Sequence, residues 1–158
     1  MDDSWAAYAG AVVRLETPDD VVWVSPASAG RTQGVYPDPL GRTICVVTAH
    51  NPLGRTVPEK ENAAAERRLQ CELERRGWAW WPAAGGDPAW THVETSAAVI
   101  GIDETQVAAL GAEFRQDAIF VFTPSDRRIV GCLQRRTVAS GWSVEPEAGL
   151  DRTSERCG

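Results

Sequence analysis

The sequence predicts an α+β fold with a ferredoxin-like β-α-β-β-α-β core, extra N-terminal strands and a C-terminal extension. From Thr43 onward, short apolar runs alternate with two segments of helical periodicity. Their order is strand, helix, strand, strand, helix, strand, which is the order of a split β-α-β unit. A chain of 158 residues with 43% hydrophobic and 24% charged residues is typical of one globular domain.

The part of the chain before this core predicts two strands and a long loop. Residues 11–15 and 21–24 are short apolar runs on either side of a Thr-Pro-Asp-Asp turn. Residues 25–42 are rich in Gly, Pro and Ser, and a loop of this length either covers a site or is mobile. Residues 43–48 contain an unbroken apolar run, which predicts a central strand buried on both faces.

Two helices have clear start signals. Thr56 and Glu59 fit a capping box for a helix over residues 58–76, in which an apolar residue recurs at every fourth position. Asp103 predicts the start of a second helix over residues 104–114, with apolar residues at offsets of three and four. Both helices are therefore expected to bury one face against the sheet.

The remaining segments complete the predicted domain. Further strands are expected at residues 78–81, 92–102, 118–123 and 128–133. Beyond Gln134 the chain is dominated by Arg, Glu, Gly and Ser. We therefore expect one α+β domain over residues 1–134 and a polar, partly disordered extension over residues 135–158.

Charge and cysteine content exclude several classes of protein. A net charge of −6 argues against a surface that neutralises many nucleic-acid phosphates. No apolar run approaches the roughly 20 residues that a membrane helix needs, and two acidic residues precede the first apolar run, unlike a secretory signal. The four cysteines lie far apart with no C-x-x-C pair, so we expect no zinc site and a cytoplasmic location.

Polar side chains crowd the loop after the 43–48 strand. The stretch TAHNPLGRTVPEKEN, residues 48–62, leads directly into the first helix, so His50, Asn51 and Asn62 are expected to lie close together. Glu94 shares one face of its predicted strand with Ser96 by alternation. In a ferredoxin-like sheet that strand lies beside residues 43–48, which brings Glu94 near the loop.

These groups predict a small-molecule site for an anionic or amide-bearing metabolite. The start of a helix favours a negative group, and Asn side chains suit an amide. The sequence predicts no nucleic-acid or membrane partner and leaves the oligomeric state open. The expected ligand-binding residues are Thr48, Asn51, Arg55, Glu61, Asn62, Ser96, Gln116 and Trp80.

An extension of this hypothesis is acid–base catalysis by His50 and Glu94. The chain has no P-loop, no G-x-G-x-x-G and no G-x-S-x-G motif, so we expect neither a metal nor an organic cofactor. A histidine titrates near neutral pH, and burial raises the pKa of a carboxyl group. The structural alternative is that His50 only stabilises the Asn-Pro turn and that Glu61 is an exposed acid of the first helical turn.

A protein-interaction module is the alternative function. The chain is acidic and contains seven tryptophans. If Trp23, Trp90 and Trp142 formed one exposed patch, that patch would mark a partner surface.

Four stretches of the chain resemble one protein family. VVTAHNPLGR, EKENAAAERRLQCELERRG, WWPAAGGDPAWTHVETS and ALGAEFRQDAIFVF are similar, in this order, to the uncharacterised bacterial family named domain of unknown function 3293. The resemblance runs over residues 44–122. The chain departs from the family pattern at His50, where an aromatic residue is usual, and at Arg115, where Gly usually precedes Gln116. The resemblance implies a shared polar site at Thr48, Asn51, Pro52, Glu61, Asn62, Glu94, Ser96 and Gln116.

Overall fold

A computed structural model describes residues 3–147 of the chain. A short 3-10 turn at Pro52–Gly54 precedes the second helix. The helices and strands of this part are α1 (Asp3–Ala9), β1 (Val12–Glu16), β2 (Val21–Ala27), β3 (Thr32–Gln33), β4 (Ile44–Thr48), α2 (Glu59–Arg76), β5 (Trp80–Gly86), β6 (Val93–Ile100), α3 (Glu104–Glu113), β7 (Ala118–Thr123), β8 (Asp126–Gly131) and β9 (Thr137–Pro146).

Eight of these strands close into an antiparallel barrel. Their hydrogen-bonded order is β2-β1-β5-β6-β4-β7-β8-β9, and the antiparallel pairing of β9 with β2 joins the two ends. The two-residue strand β3 pairs in parallel with β9. The prediction of a ferredoxin-like α+β core is therefore wrong.

The error concerns where the sheet ends. Strand β4 does lie beside β6, with Thr48 opposite Ser96, but the sheet continues from β5 into β1 and from β7 into β8. Strand β9 closes the barrel from within residues 135–158, where the sequence predicts a polar extension. Only Gly141, Trp142 and Val144 of this strand are buried and five of its ten residues are exposed, so it lacks a continuous apolar pattern although it is part of the barrel.

The barrel interior is one of two apolar cores. Its buried residues include Val13, Leu15, Val24, Ile44, Val46, Ala98, Ile100, Phe122, Trp142 and Val144. The second core lies between the outer face of the sheet and helices α2 and α3, and includes Cys45, Val47, Ala65, Leu69, Leu73, Val99, Val107, Leu110, Ile119 and Val121. Strand β4 contributes to both cores, which confirms the prediction of a strand buried on both faces.

Helix α2 starts without the predicted capping box. Pro58 occupies the N-cap, no side chain caps the helix, and the amides of Glu61 and Asn62 donate to the Pro58 carbonyl oxygen. Because the helix begins at Glu59 with Pro58 as its N-cap, Thr56 lies before the cap position, so the box between Thr56 and Glu59 does not form and that prediction is wrong. Helix α3 is capped as predicted, because Asp103 Oδ1 accepts a hydrogen bond from the amide of Thr105 at 2.7 Å.

Different segments cover the two ends of the barrel. At the end where β4 starts, the Tyr36 hydroxyl lies 2.7 Å from the carbonyl oxygen of Phe122, which ties the loop between β2 and β4 to β7. At the other end, residues of α1 lie beside the opening of the barrel. The buried Arg127 donates from Nη2 to the carbonyl oxygens of Tyr8 and Ala11, at 2.8 and 3.2 Å, and so attaches the end of α1 to β8. Residues 148–158, the rest of the predicted extension, lie outside the described residues.

Candidate functional site

A cavity of about 600 Å³ opens at the end of the barrel where β4 ends and β6 and β7 begin. Its wall comes from α1, the loop after β4, the β5–β6 hairpin and the start of β7. Five of the ten side chains that the sequence predicts for a site line this cavity, namely Thr48, Asn51, Glu94, Ser96 and Gln116. The polar groups of three separate segments therefore meet at this end of the barrel.

A hydrogen-bonded network centred on Asn51 holds one side of the cavity. Asn51 Nδ2 donates to Glu94 Oε2 at 2.9 Å, and the Asn51 amide donates to Asn62 Oδ1 at 2.8 Å. Asn62 Nδ2 in turn donates to Asn51 Oδ1 at 3.1 Å. Asn51 has a φ of 49°, a left-handed conformation that Asn tolerates better than most residues. Asn62 does not line the cavity; it fixes Asn51 from behind.

Gln116 joins the loop after β4 to the connection between α3 and β7. It is 7% exposed, and its Nε2 donates to the carbonyl oxygens of His50 at 3.0 Å and Phe114 at 3.3 Å. Two carbonyl acceptors fix the orientation of the side-chain amide. The preceding residue, Arg115, has a φ of 58°, a left-handed conformation that glycine adopts without steric cost.

Tyr8 and Asp117 form the facing wall. The Tyr8 hydroxyl donates to Asp117 Oδ2 at 3.3 Å. Burial, followed by the negative charge of Asp117, raises the pKa of Tyr8 well above its ordinary value, so this hydroxyl stays protonated. Neither residue is predicted from the sequence. Asp117 follows the predicted Gln116 directly, and that adjacency is the one signal that could have indicated it.

Small residues of β5 create the space. Gly85 lies opposite Glu94, and a Cβ atom built on Gly85 would meet no atom within 4 Å. Phe120 and Val46 contribute apolar surface to the cavity. At the rim, Asp87 accepts hydrogen bonds from the backbone amides of His92 and Thr91, which hold the pKa of its carboxyl group below the usual range.

The other predicted site residues lie elsewhere. His50 Nε2 lies 3.0 Å from Glu66 Oε1 on α2, and the His50 side chain does not line the cavity. Arg55 and Glu61 are exposed at the surface. Trp80 packs against the core between the sheet and the helices. The structure thus separates the His50 ring from Glu94, the two residues expected to act together in catalysis.

The charges around the cavity are one-sided. Three carboxylates line it, those of Asp87, Glu94 and Asp117, and no Lys or Arg does so among the residues described.

Within residues 3–147, no group of three or more His, Cys, Asp and Glu side chains is placed to hold a metal ion. No helix of this part is long and apolar enough to cross a membrane.

Fold and cavity together define a small closed barrel with a polar cavity at one end. Residues 47–119, slightly less than half of the chain, match the model of the family described as "Protein of unknown function (DUF3293)". The resemblance predicted from the sequence is thereby confirmed. The match runs from the end of β4 to the start of β7 and contains Thr48, Asn51, Asn62, Glu94 and Gln116. Comparison with curated proteins and with solved structures gave no match.

Proposed function

We propose that this protein is a small-molecule-binding domain whose ligand occupies the cavity at the end of the barrel. The observation that carries the proposal is the convergence of Asn51, Glu94 and Gln116 on one cavity from three separate segments. Each of these side chains is held by hydrogen bonds to another part of the chain. Ligand sites commonly combine an apolar surface with a few such fixed polar groups.

The proposal is binding rather than acid–base catalysis. In the catalytic hypothesis His50 and Glu94 act on one substrate, which requires both side chains to reach it. The His50 ring contacts Glu66 on α2 instead, while Glu94 faces the cavity. The role of His50 within the proposal is therefore structural: its carbonyl oxygen accepts from Gln116 and its ring contacts α2.

A tryptophan-rich interaction surface has less support. Trp142 is 3% exposed, inside the barrel. Trp23 and Trp90 contact each other edge to face, with ring centroids 4.6 Å apart, and both are half-buried. Three tryptophans in these positions do not make the exposed apolar patch that usually marks a partner surface.

A cytoplasmic location is part of the proposal. Cys45, Cys71 and Cys132 are free thiols in the part of the chain that the structure describes. Burial raises the pKa of both Cys45 and Cys132 to about 12, so these thiols stay protonated and unreactive. Unpaired cysteines of this kind are ordinary in a reducing compartment.

A thermal-shift screen against a metabolite library, followed by one variant that fills the cavity, tests the proposal. A ligand present at 100 times its Kd adds about 2.7 kcal/mol to the free energy of unfolding and raises Tm. Gly85→Leu places a side chain into the open space beside Glu94, with no backbone strain and no predicted clash at its Cβ. Ala84→Leu, on the neighbouring position and the opposite face of β5, is the matched control.

The expected result is a ligand that raises Tm in the wild type and in Ala84→Leu but not in Gly85→Leu. Amide-resolved NMR should place the largest shift changes at the cavity wall. A ligand that stabilises Gly85→Leu as strongly as the wild type binds elsewhere and would overturn the proposal. A library without any stabilising compound would count against it equally.

A further inference from the structure

Several donor side chains of the cavity wall already donate to protein acceptors, while acceptor oxygens of the same wall are left open. The hydroxyl of Thr48 donates to the carbonyl oxygen of Thr95 at 2.7 Å, and that of Ser96 donates to the carbonyl oxygen of Glu94 at 3.1 Å. The Tyr8 hydroxyl donates to Asp117. These polar side chains therefore have no hydrogen left for a ligand, although they line the cavity.

The buried side chain of Gln116 also has its donors used and its acceptor open. Both hydrogens of its Nε2 are committed to the carbonyl oxygens of His50 and Phe114. Its Oε1 accepts no hydrogen bond from any described residue and is not enclosed by protein atoms. This oxygen is therefore open to the cavity that Gln116 lines. A side chain that is 7% exposed thus presents an unpartnered acceptor to the cavity.

The carboxylates add further acceptors and negative charge. Glu94 Oε2 accepts from Asn51, whereas Glu94 Oε1 has no partner among the described residues. Asp117 likewise uses Oδ2 for Tyr8 and leaves Oδ1 without one. Among the described residues no Lys or Arg lines the cavity, and the nearby buried Arg127 is bonded to the carbonyl oxygens of Tyr8 and Ala11, so neither carboxylate has an ion-pair partner in the lining.

We propose that the natural ligand carries a cationic nitrogen group with several N–H donors, such as an ammonium, amidinium or guanidinium group. This inference rests on the proposed function and names the ligand class of the same cavity. The donor group lies among Glu94 Oε1, Asp117 Oδ1 and Gln116 Oε1, and an apolar part of the ligand lies against Phe120 and Val46. Charge-assisted hydrogen bonds of this kind are the strong ones.

The same arrangement argues against the anionic ligand expected from the sequence. That expectation relies on the free amides at the start of α2, but no residue from Pro58 to Asn62 lines the cavity. A carboxylate or phosphate placed there would face Glu94 and Asp117 without a cationic partner from the lining. Burying a charge beside like charges without a partner is unfavourable.

Three probes of the same shape test the inference, namely benzamidine, benzamide and benzoate. Benzamidinium carries only donors and a positive charge, benzamide carries donors and an acceptor without charge, and benzoate carries only acceptors and a negative charge. Each is titrated at millimolar concentration into the full chain while the backbone amides of the cavity wall are followed by NMR. We expect benzamidinium to bind at least about tenfold more tightly than benzoate, with benzamide in between.

Two variants test whether the carboxylates of Glu94 and Asp117 bind the benzamidinium group. Glu94→Gln and Asp117→Asn each keep an oxygen that can accept the hydrogen bond from Asn51 or Tyr8, so the fold is expected to survive. Each should weaken benzamidinium binding by about tenfold while changing benzamide binding by less than about threefold. Glu74→Gln removes the same charge from an exposed position on α2 and should change neither affinity.

The outcomes separate this inference from the proposed function. If benzoate or benzamide shifts the amides of the cavity wall as strongly as benzamidinium, the ligand class is wrong and the binding site stands. If none of the three probes shifts these amides while a compound from the metabolite screen does, the ligand class is again overturned. If no compound of either set reaches the cavity wall, the proposed function fails and the inference fails with it.

Discussion

Asn51 Nδ2 donates to Glu94 Oε2 across 2.9 Å, and this bond joins the loop after β4 to the start of β6. The two residues are separated by 43 positions in the chain, and α2 and β5 lie between them. One wall of the cavity therefore depends on the pairing of β4 with β6, which brings these two segments together. Because Asn51 Oδ1 also accepts from Asn62, the position of Glu94 is coupled to the first turns of α2.

Removing Asn62 tests whether this network is as stabilising as its geometry indicates. Asn62→Ala deprives the Asn51 amide of its acceptor and Asn51 Oδ1 of a donor, in a half-buried place. We expect the free energy of unfolding to fall by about 1–3 kcal/mol, as for other partly buried groups left unsatisfied. Urea denaturation followed by tryptophan fluorescence measures it. Lys60→Ala, exposed on the same turn, is the control, and equal stabilities of the two variants would contradict the prediction.

The candidate site could be predicted from the sequence where local pattern determined it. Alternation along one strand places Glu94 and Ser96 on the same face, and the abrupt change from apolar to polar residues at Thr48 indicates the end of a buried strand. Gln116 stands out as a polar residue at an element boundary. Trp80 is different, since alternation defines two faces of a strand but not which of them faces the interior.

No local sequence pattern indicates that the barrel closes. Pairing of β9 with β2 joins residues more than 100 positions apart, and half of the residues of β9 are exposed. A half-polar strand of this kind is indistinguishable by composition from a solvated extension. Helix α1 spans only seven residues and was not predicted, so its Tyr8 could not be assigned to the site. Without β9, the predicted ferredoxin-like core and its extra N-terminal strands form an open sheet instead of a barrel.

Truncation distinguishes a barrel from an open sheet with an extension. Deletion of residues 135–158 removes β9, which pairs with both β8 and β2 and buries Trp142 and Val144. Full burial of a large apolar side chain contributes about 1.5–3 kcal/mol, and the unpaired strand edges add to the loss. We expect this variant to be unfolded by circular dichroism. Deletion of residues 148–158 alone should leave a cooperative unfolding transition. A folded 1–134 fragment would contradict the barrel.

The left-handed backbone at Arg115 predicts a stabilising substitution. Its φ is 58°, a conformation that costs a residue with a side chain about 1–2 kcal/mol, and its exposed side chain has no partner among the described residues. Arg115→Gly removes this strain at a smaller entropic cost, so we expect the free energy of unfolding to rise by about 1 kcal/mol. Chemical denaturation measures the change.

A glycine at an ordinary helical position should have the opposite effect. Arg67 is exposed in the middle of α2, and its side chain makes no hydrogen bond to any described residue. Arg67→Gly is expected to lower the free energy of unfolding by about 1 kcal/mol because glycine is a poor helix former. If both substitutions destabilise the protein equally, the backbone at Arg115 is not strained.

Alkaline titration tests the burial of the two tyrosines, Tyr8 in the cavity wall and Tyr36 at the opposite end of the barrel. The chain contains no other tyrosine. Burial raises the pKa of both above the ordinary value of 10.0, and a negative charge, from Asp117 and Asp38 respectively, adds to the effect. A group whose folded pKa is raised contributes stability that is fully present below its unfolded pKa and is lost as the pH rises toward its folded pKa. The free energy of unfolding should therefore fall from about pH 10 upward.

Tyrosinate absorbance and circular dichroism, recorded on the same samples, measure this coupling. We expect no tyrosinate to appear until the circular dichroism reports unfolding, and then both tyrosines should ionise together. Tyr8→Phe should halve the change in tyrosinate absorbance. It should also make the decline in the free energy of unfolding above about pH 10 less steep, because one ionising group is lost. The buried thiols of Cys45 and Cys132 titrate in the same direction, but they are common to both proteins and cancel in the comparison. A tyrosinate transition near pH 10 with an unchanged circular dichroism spectrum would show that a tyrosine is exposed, and its absence from Tyr8→Phe would place that exposure at the cavity wall.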